Sequence, residues 1–391
     1  MKRFLANLVP PSGGQRFPAL DGLRGVAALS VMVTHLAMRV QLDAAHHIPI
    51  AQFARLSVSV FFALSAFLLY YPVAAGKPFR TAEYLRRRAW RIYPAYLAAL
   101  AFGAVVMLLR GHPIQPGNVL AHLTFSHTWF SDWWFSIVGP AWSMGTEVQF
   151  YLLLPVLVVA LAGGRSTLIL PLIALAAVAQ VVSTNHPLYW RNLPECTLPF
   201  LCGMAVAQIV AGHTRFRWPL AATGGCIILA LGLWAETRAG MLFGLTSPIH
   251  TLVLNPRGIL ACAGVTGLIL GLAAQPNGLL HRALSSAPLR VCGVAGYGLF
   301  LLHDPLFALL TLRLGALPLI LIGPPLAVAI GIASYLCIEA PAMRRCNSKQ
   351  ACRNLEEVNR VVNVESAKCT VCGAGSGGPI PRDDQYQIAH G

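Results

Sequence analysis

Apolar runs of about 20 residues recur along most of the chain, at 22–40, 55–75, 94–110, 148–164, 167–183, 195–212, 218–235, 257–274, 295–312 and 317–337. At about 1.5 Å of rise per residue, runs of this length suit helices that cross the roughly 30 Å hydrocarbon layer of a bilayer. In lipid, a helix is the one open segment that satisfies its own backbone hydrogen bonds. The pattern therefore predicts an all-α protein, a polytopic membrane helix bundle of about ten transmembrane helices. An even number of crossings places both ends on the same side.

The polar positions between the runs say which side. Seventeen Lys and Arg adjoin one set of connections, among them Lys2, Arg3, Arg16, Arg24, the cluster from Lys77 to Arg91, and Arg344 with Arg345. Seven adjoin the other, namely Arg39, Arg55, Arg110, Arg191, Arg238, Arg257 and Arg313. By the positive-inside rule both termini are cytoplasmic. Residues 1–15 carry only a short apolar run, broken by Pro10 and Pro11, too short for a cleaved signal peptide, so the first span is expected to act as its own insertion signal. Residues 346–391 turn polar and read as a flexible cytoplasmic tail, leaving 16–345 as a single transmembrane domain with no extra periplasmic domain.

Composition agrees with this picture: 56% of the 391 residues are hydrophobic and 11% charged. A net charge of +15 would point a soluble chain toward nucleic acid. Here the basic residues flank apolar runs, where they act as topology signals and anchors for anionic lipids, so membrane lipids are expected partners and nucleic acid is not. Several of the ten cysteines, such as Cys196, Cys202, Cys226 and Cys262, lie in or beside spans, and no disulfide framework is implied. In the tail, Cys369 and Cys372 form a CxxC with Cys346 and Cys352 upstream at uneven spacing. A zinc site there competes with a reduced, flexible tail, and no metal is assigned.

Ionisable residues inside spans are costly and mark functional positions by default. The stretch RFPALDGLRGVAALSVMVTHL places Arg24 and His35 in the first span. Eleven steps of about 100° bring both to one helical face, roughly 16 Å apart along the axis. A snorkelling Arg24 and a packing His35 are the alternative. In GKPFRTAEYLRRRAWRIYP, Arg88 and Arg91 stand at i and i+3 and Arg87 and Arg91 at i and i+4, so at least two guanidinium groups share a face, as phosphate recognition requires. Simple enforcement of topology explains them equally. Pro94 is expected to start the next helix.

PAWSMGTEVQFYLLLP brings Glu147 to the outer mouth of the fourth span, one turn beyond Ser143. A carboxylate entering an apolar run needs a partner, and His35 is expected at a matching depth; that pairing would fix the imidazole tautomer of a general base. A first-turn glutamate facing solvent is the alternative. In YGLFLLHDPL, His303 follows Tyr297 by six residues and precedes Asp304 and Pro305, a proline-interrupted polar site inside a span. Ser65, in FFALSAFLLYYP, reads as a close helix contact rather than a nucleophile. The third connection is external and carries His112, His122, His127, Trp129, Trp133 and Trp134, which fit either an interfacial belt or a sugar-stacking surface.

LDGLRGVAALSVMVTH, FFALSAFLL, RRAWRIYP, WSMGTEVQFY, YGLFLLH and IEAPAMR, in this order, resemble the motifs of the acyltransferase-3 family of membrane acyltransferases, which includes O-acetyltransferases of cell-surface polysaccharides. The resemblance covers nearly all of 16–345; Ala66 stands where the family usually has glycine. It implies a bacterial inner-membrane enzyme that moves an acyl group, commonly acetyl, from cytoplasmic acyl-CoA to a hydroxyl of a glycan or lipid-linked sugar. On that reading Arg24, Arg88 and Arg91 hold the phosphates of acyl-CoA. His35 is general base or transient acyl carrier with Glu147 orienting it, and Ser143, Tyr297 and His303 support the site. A homodimer is compatible with it. The rivals are a proton-coupled secondary transporter, in which His35, Glu147 and His303 form a relay, and a glycan scaffold without turnover.

Overall fold

The computed structural model describes residues 17–41, 50–184, 191–212, 221–231, 259–274 and 278–348. The N-terminal segment 1–15, Arg215, Arg217, Arg238, Arg257 and the tail cysteines Cys352, Cys369 and Cys372 lie outside the described residues. Among the described residues every regular element is helical and no strand occurs.

In chain order the helices are α1 (Pro18–Arg39), α2 (Ile50–Ala74), α3 (Thr81–Leu109), the short α4 (Pro116–Leu123), α5 (Ala141–Leu161), α6 (Ile169–Thr184) and α7 (Leu193–Gly212). They continue as α8 (Ala221–Leu231), α9 (Ile259–Ala274), α10 (Leu279–Leu284), α11 (Ala287–Val294), α12 (Gly296–Leu310) and α13 (Ala316–Ser334). A π-turn, Tyr335–Glu339, carries α13 on to Ser348. Among the described residues each predicted apolar run falls at least in part on helix, and six helices are long and apolar enough to cross a membrane, seven if α11 and α12, bent by 73° at their junction, count as one broken span. Ten full-length crossings are thus not found among the described residues. The run at 167–183, for example, starts within a 3₁₀ turn over Arg165–Leu168, so its α-helix begins only at Ile169.

The third span also differs from expectation. Pro94 lies inside α3 rather than at its start, so the arginine cluster stands on the first turns of that helix and shares its rigidity.

α1 runs through the middle of the bundle, packed against α2, α10, α11 and α12. Its approach to α10 and α11 depends on bare backbone. A Cβ on Gly22 would lie 1.7 Å from the Leu284 carbonyl oxygen, and one on Gly293 would lie 1.8 Å from that of Asp21. These contacts explain why the DGLRG segment flanks Arg24 with glycines: they seat the helix that presents it. On the opposite side Phe62 of α2, Phe200 of α7 and Phe150 of α5 stack in series at centroid distances of 4.5 and 4.1 Å. Ala66, at the position of the family's usual glycine, is fully buried and accommodated.

Candidate active site

Two adjoining cavities share Val58 and Phe300 in their walls, and between them they collect most of the residues singled out in the sequence. The smaller, of about 90 Å³, is lined by Arg24, Arg88, Arg91, Ser143, Glu147 and Tyr297 among others. Two helices deliver its three arginines to one place, because Arg24 sits on α1 and the i, i+3 pair Arg88 and Arg91 on α3. Arg87 pairs with Glu83 one turn back, whereas Arg88 and Arg91 line the cavity. The Arg88 guanidinium lies 6.0 Å from the Tyr151 ring centroid, and its Nε is buried without a hydrogen-bond partner. Arg91 reaches Met343 Sδ at 3.2 Å.

Glu147 faces this arginine cavity. Its Oε1 accepts hydrogen bonds from Ser65 Oγ and Tyr151 OH, both at 2.5 Å, while the two hydroxyl oxygens stand 3.2 Å apart. The expected pairing of Glu147 with His35 is therefore not made. Glu147 lies two turns into α5 rather than at its mouth, and α2, carrying Ser65, supplies its partner first. Ser65, expected to serve only helix packing, is a hydrogen-bond donor of this site. Ser143 bonds the Pro140 carbonyl at 3.1 Å, and Tyr297 OH donates to the Ile92 carbonyl at 3.0 Å, tying α12 to α3.

His35 lines the larger cavity, of about 600 Å³, together with Arg39, Arg55, Trp142, Arg191 and Asp304. Its partner is His303: Nδ1 of His35 lies 2.8 Å from Nε2 of His303, and the rings stack with centroids 5.0 Å apart. His303 Nδ1 is 2.9 Å from the Leu299 carbonyl oxygen, which can only accept, so that nitrogen carries the proton. With both rings neutral, His303 Nε2 must then accept from the Nδ1–H of His35. The lone pair of His35 falls on Nε2, the nitrogen a base or nucleophile uses. The proline expected to interrupt the helix beside His303 does not do so, since Pro305 lies within a continuous α12 and the break falls before Gly296.

A pair that sequence reading passed over completes this cavity. Arg39 Nη2 and Asp304 Oδ1 form an ion pair at 2.7 Å. The signal was present, because Arg39 follows His35 by one helical turn and Asp304 adjoins His303.

The histidines and tryptophans of the connection after α3 are mostly structural. His122 and His127 are fully buried and stack at 4.0 Å with an 11° interplanar angle. Burial pushes His127 down to about 3 and lowers His122 as well. Trp134 is buried, with its indole N–H donating to the Thr128 carbonyl at 2.7 Å, whereas Trp129 is exposed.

A family model described as "Acyltransferase domain" matches residues 17–342. Among curated relatives, the exopolysaccharide production protein ExoZ of Rhizobium meliloti is 26% identical over 311 residues, covering 76% of this chain and 92% of that protein. The peptidoglycan O-acetyltransferase OatA of Listeria monocytogenes is 23% identical over 328 residues, covering 75% of this chain and 50% of that protein. Acyltransferase MdmB of Streptomyces mycarofaciens is 31% identical over 153 residues, or 36% of this chain and 38% of that protein. The chain thus spans about half the length of OatA or less of some relatives, and nearly the whole of ExoZ. No solved structure matches it.

Proposed function

Because the chain belongs to the membrane acyltransferase family whose domain covers residues 17–342, we propose that it is an O-acetyltransferase. In this reading it draws an acyl group, in the first instance acetyl, from acyl-CoA on the cytoplasmic side of a bacterial inner membrane and esterifies a hydroxyl of a glycan or lipid-linked sugar. The observation that carries it is the junction of two cavities, one holding three arginines and a carboxylate, the other the tautomer-fixed His35. The names of ExoZ and OatA, which refer to exopolysaccharide production and peptidoglycan O-acetylation, support a glycan acceptor.

Arg24, Arg88 and Arg91 are the residues suited to the phosphates of coenzyme A, since guanidinium groups bind phosphate oxygens through paired N–H donors. The thioester would enter past Val58 and Phe300 toward His35. His35 Nε2 takes the acceptor hydroxyl proton as its oxygen attacks the thioester carbonyl. The tetrahedral adduct collapses to the ester, and the coenzyme A thiolate leaves with the proton that His35 returns. In the covalent variant Nε2 itself attacks the thioester, and the acceptor oxygen displaces the histidine. Glu147, bonded to Ser65 and Tyr151, supplies the one carboxylate among the described residues lining the arginine cavity. The acyltransferase family assignment removes the support for a transporter or a scaffold without turnover.

The deciding experiment is release of free coenzyme A from acetyl-CoA by the purified protein, with and without surface glycan, for wild type and His35→Ala. Glycan-dependent release lost in the variant supports the reading; release that is independent of His35 defeats it. Labelled acetyl trapped on His35 without acceptor would select the covalent variant.

A further inference from the structure

Two helices carry side chains in the same order along the two cavities. On α2 the positions Ala54, Arg55, Val58, Phe61, Phe62 and Ser65 follow one another at helical spacing and share one face. Ala54 and Arg55 line the larger cavity, Phe61, Phe62 and Ser65 line the smaller, and Val58 lines both. On α12 Gly296 and Tyr297 line the smaller cavity and Asp304 the larger, while Phe300, one turn from each, lines both. No other described residue is shared, so the arginine cavity and the His35 cavity meet at one valine and one phenylalanine.

This neck is apolar and is backed on both sides. Val58 and Phe300 are both buried. The Phe300 ring meets Phe61 edge to face with centroids 5.4 Å apart, and meets His303 in the same manner at 6.3 Å. It is thus fixed between the wall of the smaller cavity and the imidazole that orients His35. The helices behind leave little room for either side to withdraw. A Cβ on Gly203 of α7 would lie 2.1 Å from the Ala63 carbonyl oxygen of α2, and one on Gly331 of α13 would lie 2.8 Å from Cβ of Leu299, the neighbour of Phe300 on α12. Helices already in backbone contact resist the displacement that a wider object in the neck would require.

We propose that Val58 and Phe300 select the acyl donor by its cross-section rather than its length, so that unbranched, uncharged acyl groups are its substrate class. The inference rests on the acyl-transfer reading and adds the residues that set donor specificity. A donor whose phosphates stay with Arg24, Arg88 and Arg91 must pass its acyl group through the neck to bring the thioester to His35. A straight chain is no wider than the pantetheine arm that follows it, and the larger cavity, of about 600 Å³, receives it. A branch beside the carbonyl is wider than that arm. A carboxylate on the acyl group would shed its water at two apolar side chains that offer no hydrogen bond in return.

The test uses the full-length protein in membranes, the surface glycan pool of the organism that encodes it, and labelled acetyl-, n-butyryl- and isobutyryl-CoA. Labelling from acetyl-CoA establishes acyl transfer, and its absence would remove that reading together with this one. The two butyryl isomers contain the same atoms and differ only in the branch, so the ratio of their kcat/KM values reads cross-section at constant size and polarity. The wild type should prefer n-butyryl by about tenfold or more, the lower end of what one methyl group decides in an apolar site. Hindrance at the branched carbonyl is common to every variant, which makes the change in the ratio the decisive quantity. Val58→Ala and, separately, Phe300→Leu should lower the ratio about fivefold, and Val58→Ile should raise it, since each adds or removes about one methyl width at the neck. Each ratio is internal to one protein, so a general loss of activity in a variant leaves it readable. A ratio unchanged in all three variants, with acetyl transfer present in the wild type, would overturn the proposal. So would a wild type that rejects n-butyryl as strongly as isobutyryl, which would mark selection by length.

Discussion

The Nδ1 atom of His35 lies 2.8 Å from Nε2 of His303, and the Leu299 carbonyl at the far side of His303 sets the direction of that hydrogen bond. The orienting group of the candidate base is thus a second imidazole, itself oriented by backbone, where a carboxylate had been expected. His303→Gln should retain much of the activity, because the Gln carbonyl can accept from His35 Nδ1–H. His303→Leu should lose it by about a hundredfold, within the range of general-base contributions. Steady-state coenzyme A release with glycan present measures both. Equal rates in the Gln and Leu variants would show that the hydrogen bond has no part in catalysis.

Arg88 and Arg91 line the smaller cavity, whereas Arg87 pairs with Glu83. Replacing Arg88 or Arg91 by Gln should weaken acyl-CoA binding by about tenfold each, as expected for loss of one charge-assisted bond of about 1.5–3 kcal/mol shared with water. Arg87→Gln should leave it near the wild-type value. Calorimetric titration with coenzyme A reads the difference. A similar loss at all three positions would mean that a diffuse basic field, not this pocket, attracts the donor.

Gly22 has no room for a methyl group, since the Leu284 carbonyl would lie 1.7 Å from its Cβ. Gly22→Ala must push α10 away from α1 and is expected to destabilise the fold by at least the 1–3 kcal/mol typical of overpacking. A lower midpoint in thermal unfolding of the detergent-solubilised protein, with a parallel loss of activity as Arg24 is displaced, is the expected result. An unchanged midpoint would contradict the contact.

His127 is buried in the connection between α3 and α5, and burial, with the like charge of His122 beside it, holds its folded-state value down to about 3 against about 6.5 unfolded. The unfolded chain therefore binds the proton first as pH falls. Stability is full above about 6.5 and declines progressively toward 3. Thermal midpoints should drop between pH 7 and pH 5, and His127→Gln should flatten that slope. Tyr96, whose hydroxyl bonds the His122 carbonyl at 3.1 Å, holds the same segment from α3.

Much of this protein is legible in one dimension. The apolar runs fixed an all-helical membrane fold because hydrocarbon leaves the backbone no other local solution. The spacing of Arg24 and His35 placed both on one face of α1, and the spacing of Arg88 and Arg91 anticipated a shared face on α3, because helical periodicity is a local property. The motif order pointed to the acyltransferase family, whose domain covers residues 17–342.

What the tertiary structure decided is which groups meet. Glu147 and His303 both carried a signal in sequence, but only packing gave Glu147 to Ser65 and Tyr151 and gave His303 to His35. Those partners lie 82, 4 and 268 residues apart along the chain, and of these separations only the helical turn of four is readable without a fold. Arg191, with φ of 65° and its guanidinium beside Phe135 and Trp142, had no sequence signature, since Thr146, which bonds its carbonyl, reaches it from α5, 45 residues away. Periodicity fixes the direction in which a side chain leaves its own helix; the close approach of other helices, here along bare glycine backbone, determines what it finds there.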